Sequence, residues 1–140
     1  MKQEMTNERQ QIVFGNDSVV IAKYISGLKG GRTLNVEGYG EADILAGHVV
    51  ITKDGVYKPM PVVDEVVSNE PTGNKVYGTL PTGWAYAGVV YRSVSAKKPA
   101  VSIMTNGEVN IEAVPYPMTS ILSAFKAAVP FIAFIKDEEA

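Results

Sequence analysis

The sequence predicts a mainly β protein, a small β-barrel or sandwich with one short C-terminal helix and a flexible N-terminal arm. Three observations predict this class. Runs of β-branched and aromatic residues recur along the chain, glycine-containing turn signals separate them, and one segment carries apolar residues at helical spacing. With 140 residues, 46% of them hydrophobic, the chain suits a single core. We therefore divide it into an arm, residues 1–17, and one β-rich domain, residues 18–140.

The predicted arm is polar and mixed in charge over its first eleven or so residues. This segment has too little apolar content to offset the entropy of ordering, which is typical of a flexible terminus. It ends in the apolar residues Ile12, Val13 and Phe14, which precede a turn signal at 15–17. We therefore expect a short apolar segment, suited to contact with a partner, before the first strand.

The first strand is predicted over residues 19–25, a β-branched run. The stretch that follows, "SGLKGGRTLNVEGYGEADILAG", holds six glycines and predicts loops and bends with a strand fragment at 33–36. A further strand is expected over 84–93, after turn chemistry at 81–83. A helix is predicted over 119–129, capped by Thr119 or Ser120 and stopped by Pro130, and a closing strand follows it.

Two hairpins are predicted from glycine turns. Strands at 49–53 and 56–60 flank Lys53-Asp54-Gly55, and a second hairpin is expected over 101–114 around Thr105-Asn106-Gly107. We expect a three-residue loop in both, because in the second hairpin this loop places Ile103 opposite Val109 and keeps apolar residues on one face. The same loop in the first hairpin pairs Ile51 with Tyr57, and His48 then shares the reverse face with Val50.

Composition excludes several function classes. The net charge of −2 supplies no basic face, so no nucleic-acid partner is expected. The chain has no cysteine, which excludes disulfides and thiolate metal sites. No uncharged apolar run approaches the roughly 18 residues of a spanning helix, so no membrane partner is expected. The first residues lack the apolar core of a secretory signal, which favours synthesis in the cytoplasm.

Catalytic and ligand sites are not predicted. His48 is the chain's single histidine, and nucleophilic catalysis would need it beside a hydroxyl and a carboxylate that the sequence does not place there. The glycine-rich stretch at 27–33 lacks phosphate-loop spacing, and no calcium loop occurs. The acidic stretch at 64–70 is interpreted as a solvated loop. We expect no enzyme activity, no cofactor and no metal, and we interpret His48 as a packing residue.

The order of segments resembles the lambda-like phage head decoration proteins over roughly residues 27–136. The similarity is carried by "AGHVVITKDGVYKPM", "AYAGVVYRSV" and "SIMTNGEVNIEAV", followed by a short helix and a closing strand. It implies a β-tulip-like fold that binds the exterior of an icosahedral capsid, as a homotrimer, and bridges subunits of the major capsid protein. The chain departs from the pattern in its glycine-rich stretch at 27–40 and in its helix at 119–129.

The resemblance also implies contact residues. Gln11, Ile12, Val13 and Phe14 of the arm are candidates for adding a strand to an exposed sheet edge of the capsid. Aromatic residues dominate interface hot spots, so Trp84, Tyr86 and Phe125 are candidates for contacts between copies, and a place in the core is the alternative for Trp84 and the tyrosines. The implied location is the virion exterior. Two alternatives stay open: the base of a head fibre, and a carbohydrate-binding sandwich that stacks sugars on Trp84, Tyr86 and Tyr91.

Overall fold

A computed structural model of the chain describes residues 17–28 and 31–136. The fold is mainly β with a short C-terminal helix, as the sequence predicts. In chain order, the elements are α1 Asp17–Val20, β1 Ile21–Gly27, β2 Arg32–Thr33, β3 Asp43–Ile44, β4 Val49–Lys53, β5 Val56–Pro59, β6 Val62–Val67, β7 Glu70–Tyr77, β8 Ala85–Val90, β9 Val94–Ser95, β10 Ala100–Val101, β11 Ile103–Asn110, α2 Leu122–Ala128 and β12 Ile132–Ile135. The predicted arm candidates Gln11, Ile12, Val13 and Phe14 lie outside the described residues.

The main sheet is organised around β11. Its strand order is β1-β11-β8-β4-β5, and neighbours along this order run antiparallel. Strand β12 lies beside β11 in parallel. Because β1 and β5 end this order without pairing to each other, no sheet of the described chain closes into a barrel, and the open, layered alternative is the one that forms.

Both faces of the main sheet carry a core. Val49 and Ile51 pack with Phe125 of α2 on one face, while Val50 between them packs with Ile44 on the other. Successive side chains of a strand point to opposite faces, so this run of three buried residues requires cover on both sides. Helix α2 covers the first face. The short strands β2, β3, β9 and β10 and their loops cover the second, which gives the glycine-rich stretch its place in the fold.

The start of the described chain is fastened to the body through Asp17. One of its carboxylate oxygens accepts a hydrogen bond from the Ser93 hydroxyl at 2.6 Å, and the other accepts one from the Ser93 backbone N–H at 2.8 Å. The Ser93 hydroxyl oxygen accepts in turn from the Ala46 N–H at 2.8 Å. Asp17 is almost fully buried. A charged hydrogen-bond network therefore fixes the point at which the chain enters the fold.

The predicted loop of the first hairpin is wrong by one residue. Lys53 pairs with Val56 and Ile51 with Lys58, so the loop has two residues and the predicted Ile51–Tyr57 pair does not form. Asp54 and Gly55 have φ of 50° and 81°. Aspartate followed by glycine tolerates this left-handed pair of conformations, and the resulting turn matches the twist of the strands.

The predicted second hairpin does not exist. Strand β11 runs without a turn through Asn106 and Gly107, and Gly107 pairs with Tyr24 of β1. A Cβ atom at Gly107 would collide with the Lys23 carbonyl oxygen. This glycine therefore permits the close approach of a neighbouring strand instead of a turn.

Three other predictions hold with shifted boundaries. The strand predicted at 84–93 is Ala85–Val90, the closing strand is Ile132–Ile135, and the helix predicted at 119–129 is Leu122–Ala128. The predicted caps Thr119 and Ser120 are wrong, because the helix begins after Ile121 without a side-chain cap. The first strand begins at Ile21 because Asp17–Val20 form a helical turn that the sequence pattern did not indicate. In the described ranges, no helix has the length and apolar character needed to cross a bilayer.

Candidate functional site

A hairpin formed by β6 and β7, residues 62–77, stands apart from the main sheet. Its strands pair with each other as a separate two-stranded sheet. The turn is made by Ser68 and Asn69, with φ of 53° and 67°. None of the residues 61–76 is buried. The stretch interpreted from sequence as a solvated acidic loop is thus solvated, but the loop interpretation is wrong: it is an extended β structure.

The hairpin exposes apolar side chains. Val63, Val66 and Val67 leave 48%, 57% and 58% of their surfaces accessible. Beside them, Lys75 forms an ion pair with Asp64 at 2.9 Å, and the Thr72 hydroxyl donates to Glu65 at 2.8 Å. Solvent screens such surface pairs, so they contribute little to holding the hairpin. The valines contribute little to the protein's own core and are available to a partner.

The root of the hairpin, comprising Met60, Pro61, Tyr77 and Gly78, is joined to the body at the start of β4. The Met60 N–H donates to the Val49 carbonyl at 2.8 Å, and the Val49 N–H donates to the Tyr77 hydroxyl at 3.0 Å. The Gly78 N–H closes the root by donating to the Pro61 carbonyl at 2.9 Å. Met60 and Tyr77 are both buried. The exposed hairpin is therefore attached to the body through a well-packed root.

His48 lies against this root. It is fully buried, and its Nε2 lies 2.9 Å from the Met60 carbonyl oxygen. Since a carbonyl can only accept, Nε2 carries the hydrogen. Nδ1 is buried too, and among residues 17–28 and 31–136 it has no hydrogen-bond partner. Burial lowers the pKa of His48 to about 4, although the bond to Met60 opposes this shift, so the imidazole is neutral at pH 7.

Three tyrosine rings surround the imidazole edge-on and form, with it, a cluster that we call the imidazole cage. The ring of His48 lies 5.7 Å from that of Tyr39 and 5.4 Å from those of Tyr77 and Tyr116. Burial raises the pKa of all three phenols. Tyr77 and Tyr116 belong to the first core face and Tyr39 to the second. Because the His48 ring contacts tyrosines of both core faces, it lies between the two faces and not on the reverse face predicted for it.

The cage offers no arrangement for catalysis within the described residues. Met60, whose carbonyl the ring contacts, supplies neither a nucleophile nor a carboxylate. Solvent does not reach the ring, so a substrate would have to displace part of the fold to contact it. No group of three or more potential metal-ligating side chains comes together in the described part of the chain.

The predicted interface aromatics have different environments. Phe125 is fully buried under the main sheet, so the interpretation of it as a surface contact is wrong: its spacing marks the core face of α2. Tyr86 is partly exposed and packs on Phe125, with ring centroids 5.5 Å apart. Trp84 is partly exposed, and the Lys58 ammonium lies over its ring at 4.4 Å. Trp84 and Tyr86 therefore stay available for contacts between copies.

The carbohydrate platform has an unfavourable geometry. A sugar-stacking surface needs open aromatic faces, but Lys58 occupies one face of Trp84, and the ring of Tyr91 lies 4.4 Å from that of Tyr24. Arg92 also approaches Tyr91, at 4.9 Å. Side chains of the protein itself thus cover part of the predicted platform.

Strand β1 supplies a second exposed apolar surface. It ends the strand order of the main sheet, and Tyr24 and Ile25 leave 41% and 53% of their surfaces accessible. Its pairing with β11 is irregular after Ile21, Tyr24 and Ser26. Such bulges are a common way of interrupting an exposed sheet edge. Residues 15–20, which include α1, separate this strand from the arm candidates in the sequence.

Sequence reasoning missed the hairpin and its cage. The β-branched pairs Val62-Val63 and Val66-Val67, followed by Ser68-Asn69, were a usable signal for the hairpin, because valine favours strands and asparagine tolerates left-handed turns. No local signal could have united tyrosines 39, 77 and 116 around His48. Comparison with known protein families, with curated proteins and with solved structures found no match for this chain. Its function has to be inferred from the residues and their geometry.

Proposed function

We propose that this chain is a non-enzymatic structural protein of a phage virion. It binds the outer surface of an icosahedral capsid and stabilises the capsid by bridging subunits of the major capsid protein. The observation that carries the proposal is the hairpin of residues 62–77, whose exposed valines have no role in the protein's own core. The resemblance to head decoration proteins supplies the kind of partner.

The hairpin has the properties of a contact element. Its two strands pair with each other, which holds the hairpin in an extended conformation while Val66 and Val67 are exposed at its end. Burying an exposed valine side chain against a partner contributes on the order of 1 kcal/mol. That is weak for one copy. On a lattice of identical subunits, a second contact from the same chain multiplies the binding strength through avidity.

The second contact is assigned to the arm. Gln11, Ile12, Val13 and Phe14 lie a few residues before Asp17, the buried carboxylate bonded to Ser93. A segment with this apolar sequence suits addition to a strand edge of the capsid protein. Force on the arm would pass through the Asp17–Ser93 bonds into the sheet. Arm and hairpin together allow one chain to touch two capsid subunits.

The proposal places the protein on the virion exterior after synthesis in the host cytoplasm, as a homotrimer with Trp84 and Tyr86 at contacts between copies. No cofactor, nucleic acid or membrane takes part. A head-fibre base would use the same docking surfaces to carry another protein outward. A carbohydrate-binding module would use Trp84, Tyr86 and Tyr91 instead, and their partly covered rings count against it.

Co-sedimentation with expanded, empty capsids of the phage that encodes the chain tests the proposal. We expect the full chain to saturate at a fixed copy number per major capsid protein. Truncation to residues 17–140 and the double substitution Val66→Ser with Val67→Ser should each weaken binding about tenfold. Val56→Ser is the matched control, since it removes an exposed valine outside the hairpin. Absence of saturable binding would reject the proposal, and binding to a glycan array would support the carbohydrate alternative.

A further inference from the structure

The position of His48 connects the exposed hairpin to the interior. The imidazole touches both chain ends of the hairpin root: it donates to the Met60 carbonyl on one side and packs edge-on against the Tyr77 ring on the other. The next residue, Val49, bonds the same two root residues through its backbone. A single short segment thus holds both strands of the hairpin where they leave the body.

The chemistry of the ring makes this attachment dependent on its protonation state. In the neutral form, Nε2 donates to Met60 and the lone pair of Nδ1 faces the cage without a partner in the described chain. Protonation would place an N–H and a positive charge on Nδ1 in the same enclosed position. A buried charge and an unpaired donor both carry a large desolvation cost. Water at the ring would remove that cost, and admitting water requires the cage to open.

The hairpin is held to the body mainly at its root. Residues 61–76 contain no buried side chain, so detachment at the root loses chiefly the burial of Met60 and Tyr77 and their bonds to His48 and Val49. Opening at the root has to expose Met60 and Tyr77, which are buried, so such openings are rare at neutral pH.

We propose that His48 is a pH-sensitive clamp: its protonation increases the frequency with which the root of the hairpin, formed by Met60, Pro61, Tyr77 and Gly78, detaches from the body. The inference concerns the isolated chain and holds or fails independently of capsid binding. It describes how acidification changes the presentation of the hairpin's exposed valines.

The other titratable groups around the cage can be distinguished from His48 as the cause of opening in acid. Tyr39, Tyr77 and Tyr116 have raised pKa values, so they stay neutral throughout the acid range. Glu41 interacts with Tyr39 and Tyr116, and Lys75 interacts with Asp64, Glu41 and Tyr116. Strand β8 is bonded to the backbone of His48 through an apolar residue, Val90, whose N–H donates to the His48 carbonyl at 2.9 Å. The carboxylates of this set remain in a His48→Gln variant, which makes that variant the control for them.

Native-state hydrogen exchange with NMR detection measures the opening. The amides of Val49, Met60 and Gly78 report on the root, and those of Ile111 and Phe125 report on distant parts of the fold. With a pKa of about 4 in the closed state and about 6.5 in an opened, hydrated state, the root opening constant should rise about 20-fold between pH 7 and pH 5, after correction for intrinsic exchange. Root exchange should depend only weakly on urea, because a local opening exposes little surface.

Two variants separate the clamp from general loosening. His48→Gln keeps a donor within reach of the Met60 carbonyl but does not titrate, so its root opening should lose the pH dependence. Tyr77→Phe removes the acceptor of the Val49 N–H, so it should raise root opening at every pH while keeping the 20-fold dependence. Root amides that respond to urea as steeply as global unfolding would overturn the inference, and so would an unchanged pH dependence in His48→Gln.

The wild-type chain alone supplies a further check, because it holds one histidine and its imidazole signals need no assignment. A native-state midpoint near pH 4 in the histidine NMR titration agrees with the clamp. A midpoint near 6.5 in a folded spectrum would mean that the ring is hydrated without opening, which overturns the inference even if neither variant folds.

Discussion

Two successive hairpins of this chain have similar turns, but the valines in β4 of the first are buried, whereas the second exposes valines. The β4–β5 hairpin turns through Asp54-Gly55 and the β6–β7 hairpin through Ser68-Asn69, in each case with two left-handed residues. The first lies inside the main sheet, and Val49, Val50 and Ile51 of β4 are fully buried. The second has valines as well, but in the part of the chain that the structure describes it pairs with no third strand and leaves them exposed.

This difference shows that a strand-forming sequence does not by itself determine whether the side chains of the strand are buried. Strand β4 has β8 on one edge, β5 on the other and a core cluster on each face. Strands β6 and β7 pair only with each other among the described residues. Valines that form strands without entering the core add little to the stability of the monomer, and their exposure is best explained by a surface that contacts something else.

The sharpest contrast between the hairpins is in stability. Ile51→Ala in β4 should lower the free energy of unfolding by about 3 kcal/mol, because it leaves a cavity between packed side chains. Val66→Ala in the exposed hairpin should change it by no more than about 0.5 kcal/mol. Urea denaturation of the two variants measures both values. Comparable losses in the two would mean that the exposed hairpin is part of the folding core.

Acidification should destabilise the fold through the residue that joins the two hairpins. The pKa of His48 is lowered to about 4 in the folded chain, against about 6.5 when unfolded. The unfolded state therefore binds more protons between these values, so this contribution to stability is complete above pH 6.5 and is lost as the pH falls through 4. The loss reaches about 3 kcal/mol. Urea denaturation at pH 7, 5.5 and 4.5 should show a steeper decline for the wild type than for His48→Gln, and parallel declines would contradict the assignment.

The hydrogen bond between β4 and the root of the exposed hairpin should contribute measurably to the free energy of unfolding. Tyr77→Phe deletes the hydroxyl that accepts from the buried Val49 N–H at 3.0 Å. Leaving that donor without a partner should cost about 1–2 kcal/mol in thermal or urea unfolding. The substitution keeps the aromatic ring and its packing, so a neutral result would show that the hydroxyl does not bind the two hairpins together.

The smallest effect is expected within the exposed hairpin itself. Asp64→Asn removes the charge opposite Lys75, in an ion pair whose side chains are largely open to water. Solvent screening makes such pairs weak, so the melting temperature should not change measurably. A clear decrease would indicate that the hairpin is stabilised by its own surface charges and is more rigid than its burial suggests.

Local chemistry allowed part of this fold to be predicted. The runs containing Val49 to Ile51 and Val89 to Val90 were recognisable as strands because β-branched residues favour them, and the spacing of Phe125 identified a helix. Gly107 was misinterpreted because a glycine that permits close strand approach and one that makes a turn look the same in sequence. The difference depends on β1, whose Lys23, 84 residues before Gly107, contributes the carbonyl oxygen that a Cβ atom would meet.

Less of the candidate site than of the fold could be predicted from the sequence. His48 was correctly interpreted as a packing residue, but its cage consists of tyrosines at positions 39, 77 and 116, which only the completed fold brings together. Phe125 was taken for a surface residue because an aromatic ring suits a core and an interface equally well. Which of the two it joins depends on whether another element covers it, and here the main sheet does.

The most direct test of the central claim, that the exposed hairpin is a contact element on a capsid, is a cryo-electron microscopy reconstruction of expanded capsids saturated with the protein. The account predicts that Val66 and Val67 are buried against the major capsid protein, with the sheet standing outside the shell. A reconstruction in which the hairpin points into solvent while another surface docks would contradict the role assigned to the hairpin. Capsids that carry no added density at saturating protein would contradict the proposed function as a whole.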